Sequence, residues 1–221
     1  MNKDQLLKKR YRAEKRFKFY GLVSITLAIL FVIFLVNVIF SKGRTAFQRT
    51  TIAVEVNFNT EELELSSNAS IEEIQDADFY DLSINSLLKL YKTEGAKQEK
   101  ELLRVFSPDH DIEIKNFLIK NLDNLNKNVI VNLTTSDDID QLHKGNYPRH
   151  LPEERRRISD FQLLIYDQLV KENKVNKVFN TFFFTNGDSR NPEVAGIGGS
   201  LFGSFFTIII TLILSFPIAI F

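Results

Sequence analysis

Two long stretches without charged residues frame this chain. Tyr20–Phe40 is 21 residues long and is dominated by Leu, Ile, Val and Phe. As a helix it would be roughly 32 Å long, close to the ~30 Å thickness of the hydrocarbon core of a bilayer. The second stretch, Val194–Phe221, is also uncharged. The pattern predicts two transmembrane helices with a polar segment between them.

A secretory signal peptide is the alternative for the first stretch. Its apolar region is typically about 7–15 residues long and is followed by a cleavage site of small residues. The stretch in this chain is longer, and the sequence that follows it, Phe40-Ser-Lys-Gly-Arg44, makes a poor cleavage site. We therefore expect an uncleaved anchor.

The segment between the two stretches alternates between strand-like and helix-like periods. In Thr51–Phe58 every second residue is a large apolar one, so these residues share one face and predict a half-buried strand. Val129–Leu133 predicts another strand. We also predict four helices: Asp78–Tyr91; one starting at Ser107-Pro108-Asp109 with Ile114, Phe117, Leu118 and Leu122 inward; Asp137–His143, ended by Gly145; and one behind a capping box, Ser159–Gln162, with Phe161, Leu164, Ile165 and Leu169 inward. The expected fold class is a membrane protein whose α-helical transmembrane spans flank a small α+β extracytoplasmic domain.

An aromatic run, Val178–Phe184, precedes the second apolar stretch. Aromatic side chains gather where a membrane meets water, so this run suits an interfacial belt. A packed core strand fits the same residues equally well. Both interpretations stay open at the level of sequence.

The charge distribution predicts the orientation in the membrane. Residues 1–18 contain eight Lys or Arg against two acidic residues, whereas only Lys42 and Arg44 closely follow the first apolar stretch. The positive-inside rule then makes residues 1–19 a cytoplasmic N-terminus. A basic block of this kind also suits anionic headgroups, in the same topology, and its position beside a span argues against a nucleic-acid arm. Because the whole chain is neutral, residues 42–195 carry a net charge of −6.

Few residues of this chain are candidates for catalysis or for binding a metal or cofactor. Asp109-His110-Asp111 offers metal-ligand types, but adjacent residues at a helix start point in different directions, so we expect a solvated helix start. We interpret Glu153–Arg157 as a solvated charge run, and we find no glycine-rich phosphate loop. We therefore expect no catalytic residue, no metal and no cofactor. The chain has no cysteine, so its outer domain would fold without disulfides, as in many bacterial proteins.

The second apolar stretch has features of a packed membrane helix. Asn191 suits an N-cap, Pro192 suits the first helical position, and Glu193 complements the positive helix end. Small residues then recur four apart: Gly196, Ser200 and Ser204 on one stripe, with Gly199 and Gly203 on its neighbour. Such residues let helices approach closely in lipid, although single matches are common. Pro217 removes one helix N–H, and we expect a kink there.

A resemblance to a known family rests on the last part of the chain. Phe179–Ser204, FNTFFFTNGDSRNPEVAGIGGSLFGS, and Phe216–Phe221, FPIAIF, resemble the start of the transport core in the PstA family of phosphate ABC transporter permeases. That core begins with a Pro-Glu-x-Ala-Gly-Ile turn and continues in a Phe-Pro-Ile helix. Gly43–Gln48, Ser136–Asp140, Lys144-Gly145 and Arg157–Ser159 are similar to an extra N-terminal domain of some members.

The resemblance implies a function and a set of partners. It implies the membrane permease subunit of an ATP-driven inorganic phosphate importer in the bacterial inner membrane. Its partners would be a sister permease subunit, an ATP-binding subunit, a periplasmic phosphate-binding protein and the lipid bilayer, with no nucleic acid. The domains would then be residues 1–19, cytoplasmic; 20–40, the first span; 41–190, periplasmic; and 191–221, the start of the permease core. Since about six spans are typical of the family, we expect this chain to be an N-terminal fragment.

Arg190 is the one charged candidate for contact with the transported anion. An arginine fork matches phosphate oxygens, and the start of a helix also favours anions. The alternatives are an interfacial arginine that reaches to headgroups, or one that pairs with Asp188. For the protein as a whole, the rival hypothesis is a two-span envelope protein with an extracytoplasmic sensing or scaffolding domain. An anchored periplasmic enzyme is a third, for which we find no reactive cluster.

Overall fold

The computed structural model describes residues 3–66 and 69–220, which form two compact units, divided between Thr45 and Ala46. The first unit is a single helix, α1, Lys3–Gly43, which contains the whole apolar stretch predicted at residues 20–40. The helix also includes the basic residues before that stretch. At 41 residues it is about 62 Å long.

An antiparallel sheet of three strands organises the second unit. Strand β1, Gln48–Asn57, lies between β2, Asn128–Thr134, and β3, Val175–Phe179. Thr51 is opposite Thr134 in one pair, and Gln48 is opposite Phe179 in the other. The two predicted strands, Thr51–Phe58 and Val129–Leu133, are therefore confirmed. The third strand, β3, includes only the first two residues of the aromatic run Val178–Phe184.

Helices cover one face of this sheet. The predicted inward face of β1 and its continuation, from Ile52 to Phe58, is completely buried, whereas Glu55 on the other face is exposed. Helices α3 and α5 pack on the sheet, and α2, α4 and α7 pack against other helices. The helices are α2, Ile71–Asp76; α3, Tyr80–Leu88; α4, Ala96–Leu103; α5, His110–Lys120; α6, Asp137–His143; and α7, Asp160–Lys171, with 3-10 turns at Arg44–Phe47, Leu122–Asn124 and Glu153–Arg155.

Local capping signals were accurate for two helices. Helix α6 has the predicted bounds, and Gly145 follows it with a φ of 78°, in the left-handed region that glycine adopts without strain. Helix α7 begins with the predicted capping box: the Ser159 hydroxyl accepts a hydrogen bond from the Gln162 N–H, and the Gln162 side chain accepts one from the Ser159 N–H.

The predicted start of α5 was wrong. The helix begins at His110 with Asp109 at the N-cap, and Ser107 lies outside it. Tertiary pairing explains the shift, because the Ser107 N–H donates to the Thr134 carbonyl at 3.0 Å and so extends the edge of the sheet. Two residues predicted to point inward are instead exposed, Leu122 at 41 % and Leu164 at 51 %.

Two charged features predicted to be solvated are partly buried. His110 is only 6 % exposed at the start of α5. In the Glu153–Arg157 run, the Arg156 side chain is 8 % exposed, although its neighbours on both sides are exposed. The run is therefore not a uniformly solvated face.

Residues 3–66 and 69–220 contain two helices that are long and apolar enough to cross a membrane, and these flank the small α+β region. One is α1. The other is α9, Gly198–Ile220, which follows a short helical turn, α8, Phe182–Thr185, and runs through Pro217. Its large apolar side chains are exposed along its length.

Candidate functional site

The segment between β3 and α9 folds back onto the beginning of β1. Asn180, just after β3, donates its N–H to the Phe47 carbonyl at 2.9 Å and its side-chain amide to the Ala46 carbonyl at 3.1 Å. Its side-chain oxygen accepts a hydrogen bond from the Phe183 N–H at 3.3 Å. One asparagine therefore connects the start of the sheet to α8.

A second set of hydrogen bonds connects α8 to the start of α9. The Gly196 N–H donates to Gly187, and the Ile197 N–H donates to Phe183, each at 2.8 Å. The Gly198 N–H donates to the carbonyl of Asn186 at 3.0 Å, and the Asn186 side chain donates to Val194 at 2.8 Å. The residues from 182 to 198, which we call the connection, form one hydrogen-bonded loop.

The backbone of Gly196 lies directly against α8. A Cβ at this position would be 2.2 Å from the Phe182 carbonyl oxygen and 2.6 Å from that of Asn186. Both neighbours are backbone atoms, which cannot rotate away as a side chain can. Gly196 is therefore required by the fold of the connection.

The predicted start of the second span was wrong. Helix α9 begins at Gly198, whereas Asn191–Val194 forms a separate turn, and the Asn191 side chain donates to Asp109 at 3.2 Å. Gly196 therefore lies before the helix, so it is not part of a helical stripe. The other small residues predicted for helix packing do lie on α9 and are exposed: Gly199, Ser200, Gly203 and Ser204. Their packing role stays a prediction.

Arg49, a partly buried residue of β1, contacts the connection at Phe182. The Arg49 guanidinium carbon lies 3.9 Å from the centre of the Phe182 ring, within the range of cation–π attraction. One guanidinium nitrogen also donates to the Thr134 hydroxyl and lies 3.9 Å from Glu113. Arg49 thus contacts β2, α5 and α8 from its place in β1.

Burial dominates the electrostatics of this cluster. It raises the pKa of the Glu113 carboxyl, against the opposing effects of hydrogen bonds from Thr134 and the charge of Arg49. It also lowers the pKa of Arg49, which the charge of Glu113 only partly offsets. The 3.9 Å separation is too long for a hydrogen bond, so the ion pair compensates little of the desolvation. A neighbouring histidine, His110, also has its pKa lowered by burial.

A cavity of about 260 Å³ opens beside this cluster. Its walls come from the start of β1, from α6 and from the turn before α9, and they include Arg49, Asp140, Lys144 and Glu193. Asp140 accepts two hydrogen bonds from Thr50, at 2.9 and 2.7 Å, and pairs with Lys144 at 2.5 Å. Asp140 thus connects the start of β1 to α6, and its charge is paired with that of Lys144.

Arg190 is exposed on the connection. Its side chain makes no ion pair with any residue between 69 and 220, so the predicted alternative of a pair with Asp188 is not formed. Arg190 lies eight residues before Gly198, the first residue of α9. Its contact with a transported anion stays a prediction.

The aromatic run forms a strand only at its start, so the prediction of a packed core strand was largely wrong, and the interfacial belt stays a prediction. Val178 and Phe179 end strand β3, whereas Phe182–Thr185 forms α8. The rings of Phe47, Phe179, Phe183 and Phe184 lie 5.1–5.9 Å apart in stacked and edge-on pairs. Phe179 and Phe184 remain substantially exposed, so the cluster is only partly a core element.

The described ranges 3–66 and 69–220 contain no group of three or more His, Cys, Asp or Glu residues able to hold a metal ion. In the Asp109-His110-Asp111 sequence, Asp109 is bonded to Asn191 and the Nδ1 atom of His110 is buried without a partner. These side chains are therefore used in packing α5.

Sequence reasoning missed the Arg49 cluster. Arg49 lies just before the alternating residues of β1, and its partners come from distant positions in the chain. A polar residue at a strand start is ordinary, and no spacing rule connects it to Glu113 or to Phe182. Only the register of the sheet and the fold of the connection bring them together.

The family comparison covers the first helix and most of the α+β region. Residues 4–153 match the family described as Domain of unknown function (DUF3333). Neither the curated proteins nor the solved structures returned a match.

Proposed function

The chain belongs to the DUF3333 family, and we propose that it is the N-terminal part of a membrane permease subunit of an ATP-driven inorganic phosphate importer. One observation carries the proposal. The stretch that resembles the permease core, Phe179–Ser204, is a single hydrogen-bonded unit that leads from the sheet into an apolar helix. Such a unit suits a domain joined firmly to the helices of a transport path.

In this proposal α1 and α9 cross the bacterial inner membrane. The basic residues before Tyr20 keep the N-terminus in the cytoplasm, and the acidic α+β region lies in the periplasm. The exposed small residues of α9 pack against another helix of the permease. The sister permease, the ATP-binding subunit and the periplasmic phosphate-binding protein complete the importer, and ATP hydrolysis takes place in the partner.

Single cysteines test the topology cleanly, because the chain has none of its own. We expect Asp81→Cys, on α3, to react with a membrane-impermeant maleimide in intact cells. Arg12→Cys, on α1, should react only after the membrane is permeabilised. Both residues are exposed, so access through the membrane decides the result. Labelling in the reverse order would refute the orientation.

Uptake of radiolabelled phosphate tests the function. Deleting the gene should lower uptake, and the complete wild-type gene should restore it. Arg190→Ala should restore it less well if the guanidinium meets the anion. Arg104→Ala is the matched control, since Arg104 is an exposed arginine at the end of α4. Uptake indifferent to the deletion would favour the two-span sensing or scaffolding protein, and Arg190→Ala uptake equal to that of the control would remove only the Arg190 role.

A further inference from the structure

The aromatic run before α9 leaves two of its rings exposed and packs the others in part. Phe179 is 60 % exposed and Phe184 is 40 % exposed, and their rings stack with centroids 5.9 Å apart. Phe182 instead packs against the Arg49 guanidinium, and Phe183 is half-buried. The exposed part of the run is therefore one small aromatic surface.

This surface lies at the beginning of α9. The Ile197 N–H donates to the Phe183 carbonyl at 2.8 Å, and Ile197 is itself 41 % exposed. A Cβ at Gly198, the first residue of α9, would be 2.6 Å from the carbonyl oxygen of Phe184. Because these contacts are between backbone atoms, Phe184 and Ile197 keep a fixed position relative to the start of α9.

The length of α9 sets the depth of that surface in a bilayer. Its 23 residues span about 34 Å, slightly more than the ~30 Å hydrocarbon core. A helix of this length that crosses the membrane has its first turn at the boundary between the hydrocarbon and the headgroups. Residues packed against that turn then lie in the interfacial layer, where aromatic rings are favoured.

A lysine lies beside the aromatic surface, two residues earlier in β3. Lys177 and Phe179 alternate with Val178, so their side chains share one face of the strand, about 7 Å apart along it. Lys177 is exposed and makes no ion pair with any residue in the ranges 3–66 and 69–220. With Phe179 at the hydrocarbon boundary, the Lys177 ammonium reaches the depth of the lipid phosphates.

We propose that Phe179, Phe184 and Ile197 insert into the membrane interface and that Lys177 binds the headgroup of an anionic phospholipid. The proposal rests on α9 crossing the membrane, as in the proposed function, but it does not depend on phosphate transport. The rings and the isoleucine contribute apolar contact, and the lysine contributes electrostatic attraction to the headgroup. The lipid surface then holds the α+β region in one orientation at the start of α9.

Tryptophan fluorescence tests the membrane contact, because the chain contains no tryptophan. The full chain with Phe184→Trp is reconstituted in vesicles of lipid brominated near the headgroup end of the acyl chain, since bromine quenches a nearby indole. We expect strong quenching. Ile130→Trp is the matched control and should not be quenched. Ile130 is 65 % exposed, and its partner Glu55 lies about 23 Å along β1 from Gln48, the partner of Phe179.

A tryptophan within α9 separates failure of this proposal from failure of the membrane assignment. Phe206 is exposed and lies about 12 Å along α9 from Gly198. We expect Phe206→Trp to be quenched more strongly by lipid brominated near the methyl end of the acyl chain. Phe179→Trp is a second reporter of the aromatic surface if Phe184→Trp does not fold.

The outcomes of this experiment are distinct. Quenching of Phe206→Trp without quenching of the surface reporters would overturn the lipid contact and leave α9 as a span. A second copy of the chain that covered the surface would give this result. Quenching of none of these variants would overturn both the lipid contact and the membrane assignment. Equal quenching of Phe184→Trp and Ile130→Trp would overturn the specific placement of the surface.

Competition between two lipids tests the lysine. In mixed vesicles of phosphatidylglycerol and phosphatidylcholine with only one lipid brominated, we expect brominated phosphatidylglycerol to quench Phe184→Trp more strongly. Adding Lys177→Gln should lower the relative affinity for phosphatidylglycerol about fivefold, which corresponds to about 1 kcal/mol per lysine at an anionic surface. Lys171→Gln removes an exposed lysine at the end of α7 and should leave that affinity unchanged. Equal affinities in the two lysine variants would overturn the role of Lys177.

Discussion

Replacing Gly196 with alanine would test whether this residue belongs to the connection or to a membrane helix. The added methyl carbon would be 2.2 Å from the Phe182 carbonyl oxygen and 2.6 Å from that of Asn186. These distances are well below van der Waals contact, and both neighbours are backbone. Residues 194–198 must therefore move away from α8, or α8 must deform.

The structure sets the size of the effect. Overpacking of a well-packed site costs about 1–3 kcal/mol. If residues 194–198 separate from α8, the connection also loses the four hydrogen bonds that join residues 182–187 to residues 194–198. At about 1 kcal/mol each, these bonds set an upper limit of about 4 kcal/mol. We expect Gly196→Ala to destabilise the docked connection by about 2–4 kcal/mol.

Amide hydrogen exchange measured by NMR on the full chain in detergent would report this loss locally. The N–H groups of Ile197 and Gly198 donate to Phe183 and Asn186, so undocking exposes them. A loss of 2 kcal/mol corresponds to roughly 30-fold faster exchange. Gly203→Ala is the matched control, because a Cβ at Gly203 meets no atom within 4 Å. If the two variants exchange equally slowly at Ile197 and Gly198, the assignment of Gly196 to the connection is refuted.

Three further substitutions have defined outcomes. Ser159→Ala removes the capping box of α7 and should lower the free energy of unfolding by about 1 kcal/mol in urea titration; no change would contradict the capping argument. Asp140→Ala leaves the buried Lys144 ammonium and the Thr50 N–H unpaired, and should cost about 3–5 kcal/mol in the same assay, with a loss below 1 kcal/mol counting against it. Because burial lowers the pKa of His110, the unfolded chain binds a proton more readily, so stability falls as the pH drops below about 6.5. His110→Gln should reduce that loss, and an unchanged pH profile would show that His110 does not contribute.

Local patterns were sufficient where the structure depends on near neighbours. Alternation located β1, the apolar segment Val129–Leu133 located β2, and the Ser159 and Gly145 signals fixed one end each of α7 and α6. The two apolar stretches also became the two long apolar helices. In each case the period or the cap is set by residues a few positions apart, so sequence alone contains the information.

The features that the sequence did not predict depend on contacts between residues far apart in the chain. Asn191-Pro192-Glu193 has the residues of a helix start, but bonds to Phe183 and Asn186 hold the chain in a turn until Gly198. None of the five residues of strand β3 is fully buried, so alternation could not identify it.

Contacts between distant residues also determine the burial of single charged side chains. Arg156 lies in a charge run that is otherwise exposed, and only tertiary packing buries it.

The central position of β1 also constrains the order in which this chain folds. It follows α1 directly, yet its two partner strands come from the middle and from the end of the α+β region. During synthesis β1 therefore has no partner strand until β2 has been made. The other edge of β1 stays unpaired until β3, just before α9, has been made. Pairing between distant segments is slow, and an unpaired strand edge is prone to aggregation. We expect this region to depend on protection by a chaperone or by the membrane insertion machinery until the residues that lead into α9 have emerged.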